Sequence, residues 1–227
     1  MNSEAAHEEM ELDRAWRESE IVGLQNACGE MEPHVVPMMR RALTLLVYAH
    51  AEGFAKFALT IYLRAINEAA LTCSEVKSQI VAATLSEEFK QLRDPHAKHP
   101  QFMTDEVRDV HSLFLECEFI NSLTDLFSTP VKVPDSVINT ENNLWPKVLR
   151  KNLYRLALPD DLFKSIYGEL HKLVNKRNGI GHGADRDSID EEEYDNIRMA
   201  ILKLMRDLQS VVFLAITSTS YLKKTIK

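Results

Sequence analysis

The chain has 227 residues and a mass of 25.9 kDa, enough for one large domain or two small ones with a sizeable core. Apolar residues make up 45% of it, and its 7 glycines and 8 prolines are too few for the tight turns of a β-sandwich or β-barrel, so we expect a helix-rich fold. The net charge of −7 argues against indiscriminate binding of polyanions.

The first predicted element is a polar helix over residues 4–28. It is acidic, with seven acidic residues among the first 20 against two arginines. Its apolar stripe is thin and consists of Met10, Ala15, Ile21 and Leu24. This N-terminus has no apolar core and does not resemble a secretory signal peptide. We predict an N-terminal helical extension over residues 1–32 and one helical domain over residues 33–227.

A long helix from Pro37 to about Leu71 gives the strongest periodic signal in the chain. Proline at the first turn of a helix is favourable, because its missing N–H would have no partner there. The residues at steps of three and four that share one face are Leu43, Val47, His50, Phe54, Ala58 and Ile61. We expect this face to form the centre of the core.

The middle of the chain is predicted as two further helices and two irregular segments. A shorter helix fits residues 74–92, a loop fits 94–100, and another helix fits 104–127. The inward face of that last helix would consist of Val107, Val110, Leu113, Phe114 and Cys117. Two prolines discourage helix over residues 128–141, so we expect an extended connector there.

Three helices are predicted in the C-terminal part, over residues 144–156, about 160–177, and a last long one. The three glycines within residues 177–183 each cost about 1 kcal/mol in a helix, so the helix is expected to end there. The run Ser188-Ile-Asp-Glu191 is a capping box that would start the last helix. That helix has inward positions at Tyr194, Ile197, Ile201, Leu204, Leu208 and Val212. The architecture is therefore predicted to be all-α.

The cysteines and the apolar runs indicate a cytoplasmic protein. Cys28, Cys73 and Cys117 lie far apart, are odd in number and form no C-x-x-C pair, as expected for reduced thiols. We expect Cys117 to lie in the core. The longest apolar run, over residues 42–51, is interrupted by His50, so no membrane span is expected.

The residues that could carry chemistry are Arg177 and His182 in the run Arg177-Asn-Gly-Ile-Gly-His-Gly183. If the glycines let the chain fold back, the guanidinium and the imidazole could converge on one phosphate. Arginine binds phosphate in bidentate fashion, and histidine exchanges a proton near neutral pH, so the pair could support metal-free RNA cleavage. The alternative is a simple helix C-cap, with Gly179 or Gly183 in the left-handed conformation and His182 only packing.

Three stretches, in order, resemble the HEPN superfamily (higher eukaryotes and prokaryotes nucleotide-binding domain). The Arg177–Gly183 run is similar to its R-x4-6-H signature, in which a polar residue often follows the arginine. The run Tyr48-Ala-His-Ala-Glu-Gly-Phe54 resembles the YAHxEGF-like run of bacterial RiboL-PSP-HEPN-like proteins. The segment Asn142-Asn-Leu-Trp-Pro-Lys-Val-Leu149 is similar to the one ahead of their motif helix. The resemblance runs from about residue 38 to 210.

This resemblance implies a helical bundle that forms a homodimer and brings two motifs into one shared cleft. Many members are metal-independent endoribonucleases of toxin–antitoxin, phage-defence or RNA-processing systems. The implied partners are RNA, a second copy of the chain, and a cognate antitoxin or inhibitor protein. The alternative function is a non-catalytic HEPN dimer that binds nucleotide or protein.

The resemblance also implies roles for individual residues. Arg177 and His182 would be catalytic, and Asn178 would orient the phosphate or His182. Glu52 on the long helix would orient one of them, unless it merely lies at an exposed flank. Gly181 stands where the commoner form of the motif has alanine, which loosens the turn before His182.

The remaining candidates come from charge and from missing motifs. Residues 147–182 carry eight lysines and arginines against three acidic residues, so Lys172 and Lys176 could guide RNA towards the motif or simply form solvated helix surface. His50 is in line with apolar neighbours and is expected to be an interior histidine. The chain has no P-loop, GxGxxG, GxSxG or HExxH motif, and we expect no cofactor and no metal.

Overall fold

A computed structural model describes residues 2–94, 108–183 and 189–223 of the chain. These residues form eight α-helices: α1 (Ser3–Gly29), α2 (Val36–Glu68), α3 (Ser78–Thr84), α4 (Ser86–Arg93), α5 (Arg108–Leu126), α6 (Pro146–Arg155), α7 (Tyr167–Gly181) and α8 (Glu191–Thr217). Short 3₁₀ turns occur at Asp135–Val137 and Asp161–Phe163. No β-strand occurs within the described ranges, apart from two isolated bridges. The predicted all-α bundle is confirmed.

The centre of the bundle is α2, which packs against α1, α7 and α8. All six positions predicted for its inner face are buried, because the helical period places them on one side. The six positions predicted for α8 are also buried. These two helices form the frame against which the C-terminal end of α7 is placed.

The first helix begins at the cap Asn2, whose side chain accepts a hydrogen bond from Glu4 N at 3.1 Å. Its buried positions are Ala6, Met10, Ile21 and Cys28, whereas Ala15 and Leu24 of the predicted stripe are exposed. Between the buried ends, α1 makes polar contacts instead: Arg14 Nε donates to Gln209 Oε1 of α8 at 2.6 Å. The α1 helix thus packs into the same core as α2 and α8. The separation of an N-terminal extension (residues 1–32) from the helical domain (residues 33–227) stays a prediction.

The middle of the chain differs from the prediction at two places. The single helix predicted over residues 74–92 is two short helices, α3 and α4, which meet at Leu85. In α5, Leu113, Phe114 and Cys117 are exposed, so their placement in the core is wrong, whereas Val107 and the side chain of Val110 lie outside the described part of the chain. Periodicity predicted which residues share a face, but the main packing partner of α5 is α4, and the bundle leaves much of that face uncovered. The predicted loop over 94–100 lies, after Asp94, outside the described residues.

The ends of α7 and α8 also correct the sequence prediction. The glycines after Arg177 do not end α7, which continues to Gly181, since glycine weakens a helix without removing a backbone hydrogen bond. Gly183 then takes the left-handed conformation, with a φ of 69°. The cap of α8 is Asp190, whose carboxylate accepts from Glu192 N and Glu193 N, whereas Ser188 of the predicted capping box lies outside the described residues.

Within the described ranges, the helices are either too short or too polar to cross a lipid bilayer. The thiols of Cys28 and Cys73 are buried and free.

Candidate functional site at the C-terminal end of α7

The guanidinium of Arg177 is held by neutral groups from three parts of the chain. Its Cζ lies 5.0 Å from the centre of the Tyr48 ring, which is cation–π geometry. Its Nη1 donates to Asn178 Oδ1 at 2.9 Å and to Asn143 Oδ1 at 3.3 Å. In the described part of the chain, no carboxylate lies within ion-pair distance of this half-buried cation. Its positive charge is therefore fixed in place without being neutralised.

Tyr48 of α2 is the platform beneath this cation. It is buried, and its hydroxyl accepts a hydrogen bond from Leu144 N at 3.0 Å. Burial raises the pKa of Tyr48 to about 12, and the nearby charge and hydrogen bond of Glu52 act in the same direction. The phenol therefore stays neutral and keeps its proton through the physiological range.

Glu52 lies one turn after Tyr48 on α2 and is half-buried. Its carboxylate lies near enough to the Tyr48 hydroxyl to help raise the pKa of that group. This places Glu52 at the edge of the site, and its orienting role stays a prediction.

A strained turn before α6 presents Asn143 to the arginine. Glu141 and Asn142 both have left-handed backbone, with φ of 50° and 71°. The turn is closed by Asn143 N, which donates to Thr140 O at 2.9 Å, and the Glu141 carboxylate forms an ion pair with Lys151 of α6. Asparagine adopts this conformation readily, whereas glutamate does so at a cost, which the ion pair helps to offset.

His182 occupies a different environment from Arg177. It is the C-cap of α7, it is exposed, and its backbone N–H donates to Asn178 O at 3.0 Å. Because α7 continues to Gly181, five helical steps separate the two residues by about 140° and about 7.5 Å along the axis. The prediction that the glycines fold the chain back is wrong, and within one chain the two side chains leave the helix on different sides.

The two lysines predicted to guide RNA both lie beside acidic residues. Lys172 Nζ is 2.8 Å from Glu169 Oε1, one turn earlier on α7, and this hydrogen bond raises the pKa of Lys172. Lys176 Nζ is 3.2 Å from Glu193 Oε2 on α8. Much of their charge is therefore balanced locally, and their role towards RNA stays a prediction.

His50 lies apart from this site, in the contact between α1 and α2. It is buried, its Nε2 lies 2.7 Å from Glu20 Oε2, and the Trp16 ring meets it edge-on. Burial lowers the pKa of His50, although Glu20 opposes that shift. It is an interior histidine, as expected. No three histidine, cysteine or acidic side chains of the described ranges are grouped so that they could hold a metal ion.

Sequence reasoning did not select Tyr48 and Asn143 as site residues, although both lie in the stretches that carry the HEPN resemblance. The sequence signal that could have identified them is that all three family-like stretches occur in one chain. In the structure these stretches meet around the Arg177 guanidinium. A search for residue types that bind anions passes over a tyrosine and an asparagine. Their function here is to hold the arginine, which only the folded contacts reveal.

The family model described as HEPN_MAE_28990-like HEPN matches residues 6–221, almost the whole chain. Searches of curated proteins and of solved structures gave no significant match. The matched range covers most of α1, the Tyr48 platform, the Asn143 turn and both ends of the motif.

Proposed function

The chain belongs to the HEPN family, and from this premise we propose that it is a metal-independent endoribonuclease that acts as a homodimer. The observation that carries the proposal is the Arg177 guanidinium, fixed on Tyr48 and by Asn143 without an acidic partner in the described ranges. A cation held in this way is pre-organised for a phosphate whose negative charge increases during reaction. The exposed His182, five residues later, adds a group that exchanges protons near neutral pH.

The proposed reaction is internal transesterification of RNA. A ribose 2′-oxygen attacks the adjacent phosphorus and loses its proton to one imidazole, while the bond from phosphorus to the 5′-oxygen breaks. A second imidazole, in its protonated form, gives a proton to that leaving oxygen. The products are a 2′,3′-cyclic phosphate and a free 5′-hydroxyl. Arg177 stabilises the charge on the five-coordinate phosphate, and Asn178 holds the guanidinium in position.

The helix geometry supports a composite site. One chain supplies one His182, whereas the reaction uses a base and an acid at the same time. A two-fold dimer supplies both, and the partner's imidazole can approach a phosphate on Arg177 from a side that the chain's own imidazole does not face. An RNase of this kind damages its host, so we propose a cytoplasmic toxin or phage-defence effector that a cognate antitoxin or inhibitor protein restrains.

A second function is favoured by one specific observation. Arg177 already contacts Tyr48, Asn143 and Asn178, and His182 is placed away from it on the same helix. These contacts also suit a non-catalytic HEPN dimer that binds nucleotide or protein through the same cation. Overexpression separates the two functions: a nuclease slows growth, and His182→Ala relieves the effect, whereas a binding module leaves growth unchanged in both cases.

The direct test is cleavage of mixed RNA by the purified protein in EDTA. The wild type is expected to degrade the RNA, and Arg177→Ala and His182→Ala are expected to lose this activity. Arg64→Ala and His34→Ala change exposed residues of the same types and serve as matched controls with full activity. No degradation by the wild type at high concentration, or equal degradation by all five proteins, would contradict the proposal.

A further inference from the structure

A cleft lies between the start of α6 and the start of α7. It has a volume of about 520 Å³ and is lined by Trp145, Pro146, Lys147, Arg150, Tyr167 and His171. This volume lies within the range of sites that hold small organic ligands. The lining combines three flat rings with two cations.

The rings form the walls of the cleft. The centres of the Trp145 and His171 rings are 5.1 Å apart, with their planes tilted by 52°. Tyr167 is fixed by its hydroxyl, which donates to Asp160 O at 3.4 Å, and burial raises the pKa of Tyr167 to about 12. These rings are held before any ligand arrives, and a flat aromatic ligand can stack on them without further ordering.

The two cations of the cleft differ in their partners. Arg150 Nε lies 2.7 Å from Asp160 Oδ2, so its charge is balanced. Lys147 is exposed, and among the described residues no carboxylate lies within ion-pair distance of it; the acid six residues earlier, Glu141, pairs with Lys151 instead. Lys147 therefore leaves one available positive charge beside the rings.

His171 adds a directed polar group. The Asn175 amide Nδ2 lies 3.0 Å from His171 Nδ1, and this contact orients the ring. The other ring nitrogen, Nε2, can then form a hydrogen bond with a polar atom on a base edge.

We propose that this cleft binds one nucleotide of single-stranded RNA, with the base stacked on Trp145 and its phosphate on Lys147. An aromatic platform with a neighbouring cation is the combination by which proteins bind unpaired RNA. This inference rests on the proposed RNase function and names a substrate subsite for it.

The cleft and the motif are joined by the same two segments. Trp145 follows Asn143 by two residues, and His171 precedes Arg177 by six residues on α7, about 9 Å along its axis and about 120° around it. An RNA strand bound at the cleft would reach Arg177 by passing around α7, a path of a few nucleotides. The cleft selects unpaired RNA, because a base in a duplex cannot present its face to Trp145.

The first test uses the fact that the chain has only two tryptophans. In a Trp16→Phe/His182→Ala protein, which keeps the RNA intact, Trp145 is the sole indole reporter. We expect decameric oligoadenylate RNA to quench its fluorescence saturably, and the same decamer paired with oligouridylate to quench it far less. No quenching by the single strand would overturn the proposal. Equal affinity for AMP would also overturn it, in favour of a mononucleotide site.

The second test measures the dissociation constant of the labelled decamer by anisotropy in the His182→Ala background. Stacking of one base contributes about 1–3 kcal/mol, so Trp145→Ala is expected to weaken binding about 5- to 140-fold, and Trp145→Phe much less. Lys147→Ala should reduce the slope of log K against log salt by about 0.7. The control Lys203→Ala removes one exposed lysine of α8 and should leave the slope unchanged.

The outcomes separate this inference from the function on which it rests. Lys147→Ala changes an exposed side chain, so its effect on the salt slope keeps the proposal testable if Trp145→Ala does not fold. RNA cleavage by the wild type, with RNA affinity unaffected by Trp145→Ala and Lys147→Ala, would refute the cleft alone. Binding at Trp145 without any cleavage by the wild type would refute the nuclease and retain an RNA-binding cleft.

Discussion

The two ends of the Arg177–His182 motif are built in opposite ways. Arg177 is half-buried, lies on the Tyr48 ring and contacts Asn143 and Asn178, so elements far apart in sequence fix it. His182 is exposed at the last turn of the same helix, next to a glycine in the left-handed conformation. One chain therefore fixes the arginine and leaves the histidine at its surface.

This difference indicates what a second chain would contribute. The bundle itself orders the arginine, whereas the histidine has no comparable support within the described residues of one chain. An interface would bury the exposed end of α7 and fix the imidazole. The proposed dimer thus completes the weakly supported end of the motif, and the experiments below test the two ends separately.

The largest effect is expected at the arginine end. Arg177→Lys keeps a positive charge but loses the planar, forked donor set that a phosphate can meet in bidentate fashion. We expect the rate of RNA cleavage to fall about 100- to 1000-fold, close to the loss in Arg177→Ala. Removal of one hydrogen-bond donor that stabilises transition-state charge has an effect of this size. The measurement is the single-turnover cleavage rate at saturating protein. Activity within a few-fold of the wild type would show that cleavage does not depend on the planar guanidinium of Arg177.

The next effect tests how Tyr48 supports that end. Tyr48→Phe keeps the ring under the guanidinium but removes the acceptor of the buried Leu144 N–H. Leaving that donor unpaired should lower the free energy of unfolding by about 1–3 kcal/mol. Urea unfolding measures this loss, and cleavage per folded molecule should fall less than in Arg177→Lys. An unchanged unfolding free energy would mean that the hydrogen bond contributes nothing to the turn that presents Asn143.

Two glycines beside His182 should have opposite effects on stability when each is replaced by alanine. A Cβ at Gly181, inside α7, meets no atom within 4 Å, so Gly181→Ala should stabilise the protein by up to about 1 kcal/mol. Gly183 has a φ of 69°, so Gly183→Ala should destabilise it by about 1–2 kcal/mol. Thermal unfolding of both variants and of the wild type shows whether each substitution stabilises or destabilises the protein. Stabilisation in both cases would show that α7 does not end at a left-handed Gly183.

The smallest effect is expected at the buried His50, in the pH dependence of the free energy of unfolding. The pKa of His50 is lowered in the folded state by burial, against the opposing effects of Glu20 and Asp13, so below pH 6.5 the unfolded chain binds more protons at this residue. Its contribution to stability is therefore complete above pH 6.5 and is lost as the pH falls. His50→Gln should flatten the acid limb of the unfolding free energy without shifting the pH profile of cleavage.

The apolar periodicity of the sequence predicted which face of a helix is buried, but not which faces other elements cover. The apolar steps of α2 and α8 predicted their inner faces, because a helix places such residues on one side. The same pattern failed for Cys117, since periodicity does not say whether another element covers a face. The end of α7 was placed too early, because a glycine penalty of about 1 kcal/mol is small beside the packing of the whole helix.

The candidate site was predictable only in part, for a related reason. Arg177 and His182 belong to one short run and were selected from their chemistry. Tyr48 and Asn143 lie far away in sequence, and their importance comes from contacts that exist only after folding. The spacing of Arg177 and His182 also depended on whether the glycines break the helix, which the sequence could not decide.

The most direct test of the account is the specific activity of a mixed dimer. Wild-type and His182→Ala chains with different tags are co-expressed, and the heterodimer is purified through both tags. If one phosphate needs the imidazoles of both chains, its rate should be close to that of the His182→Ala homodimer, since loss of an acid or base costs about 100- to 10,000-fold. Half of the wild-type activity, or failure of the two chains to associate at all, would contradict the shared site.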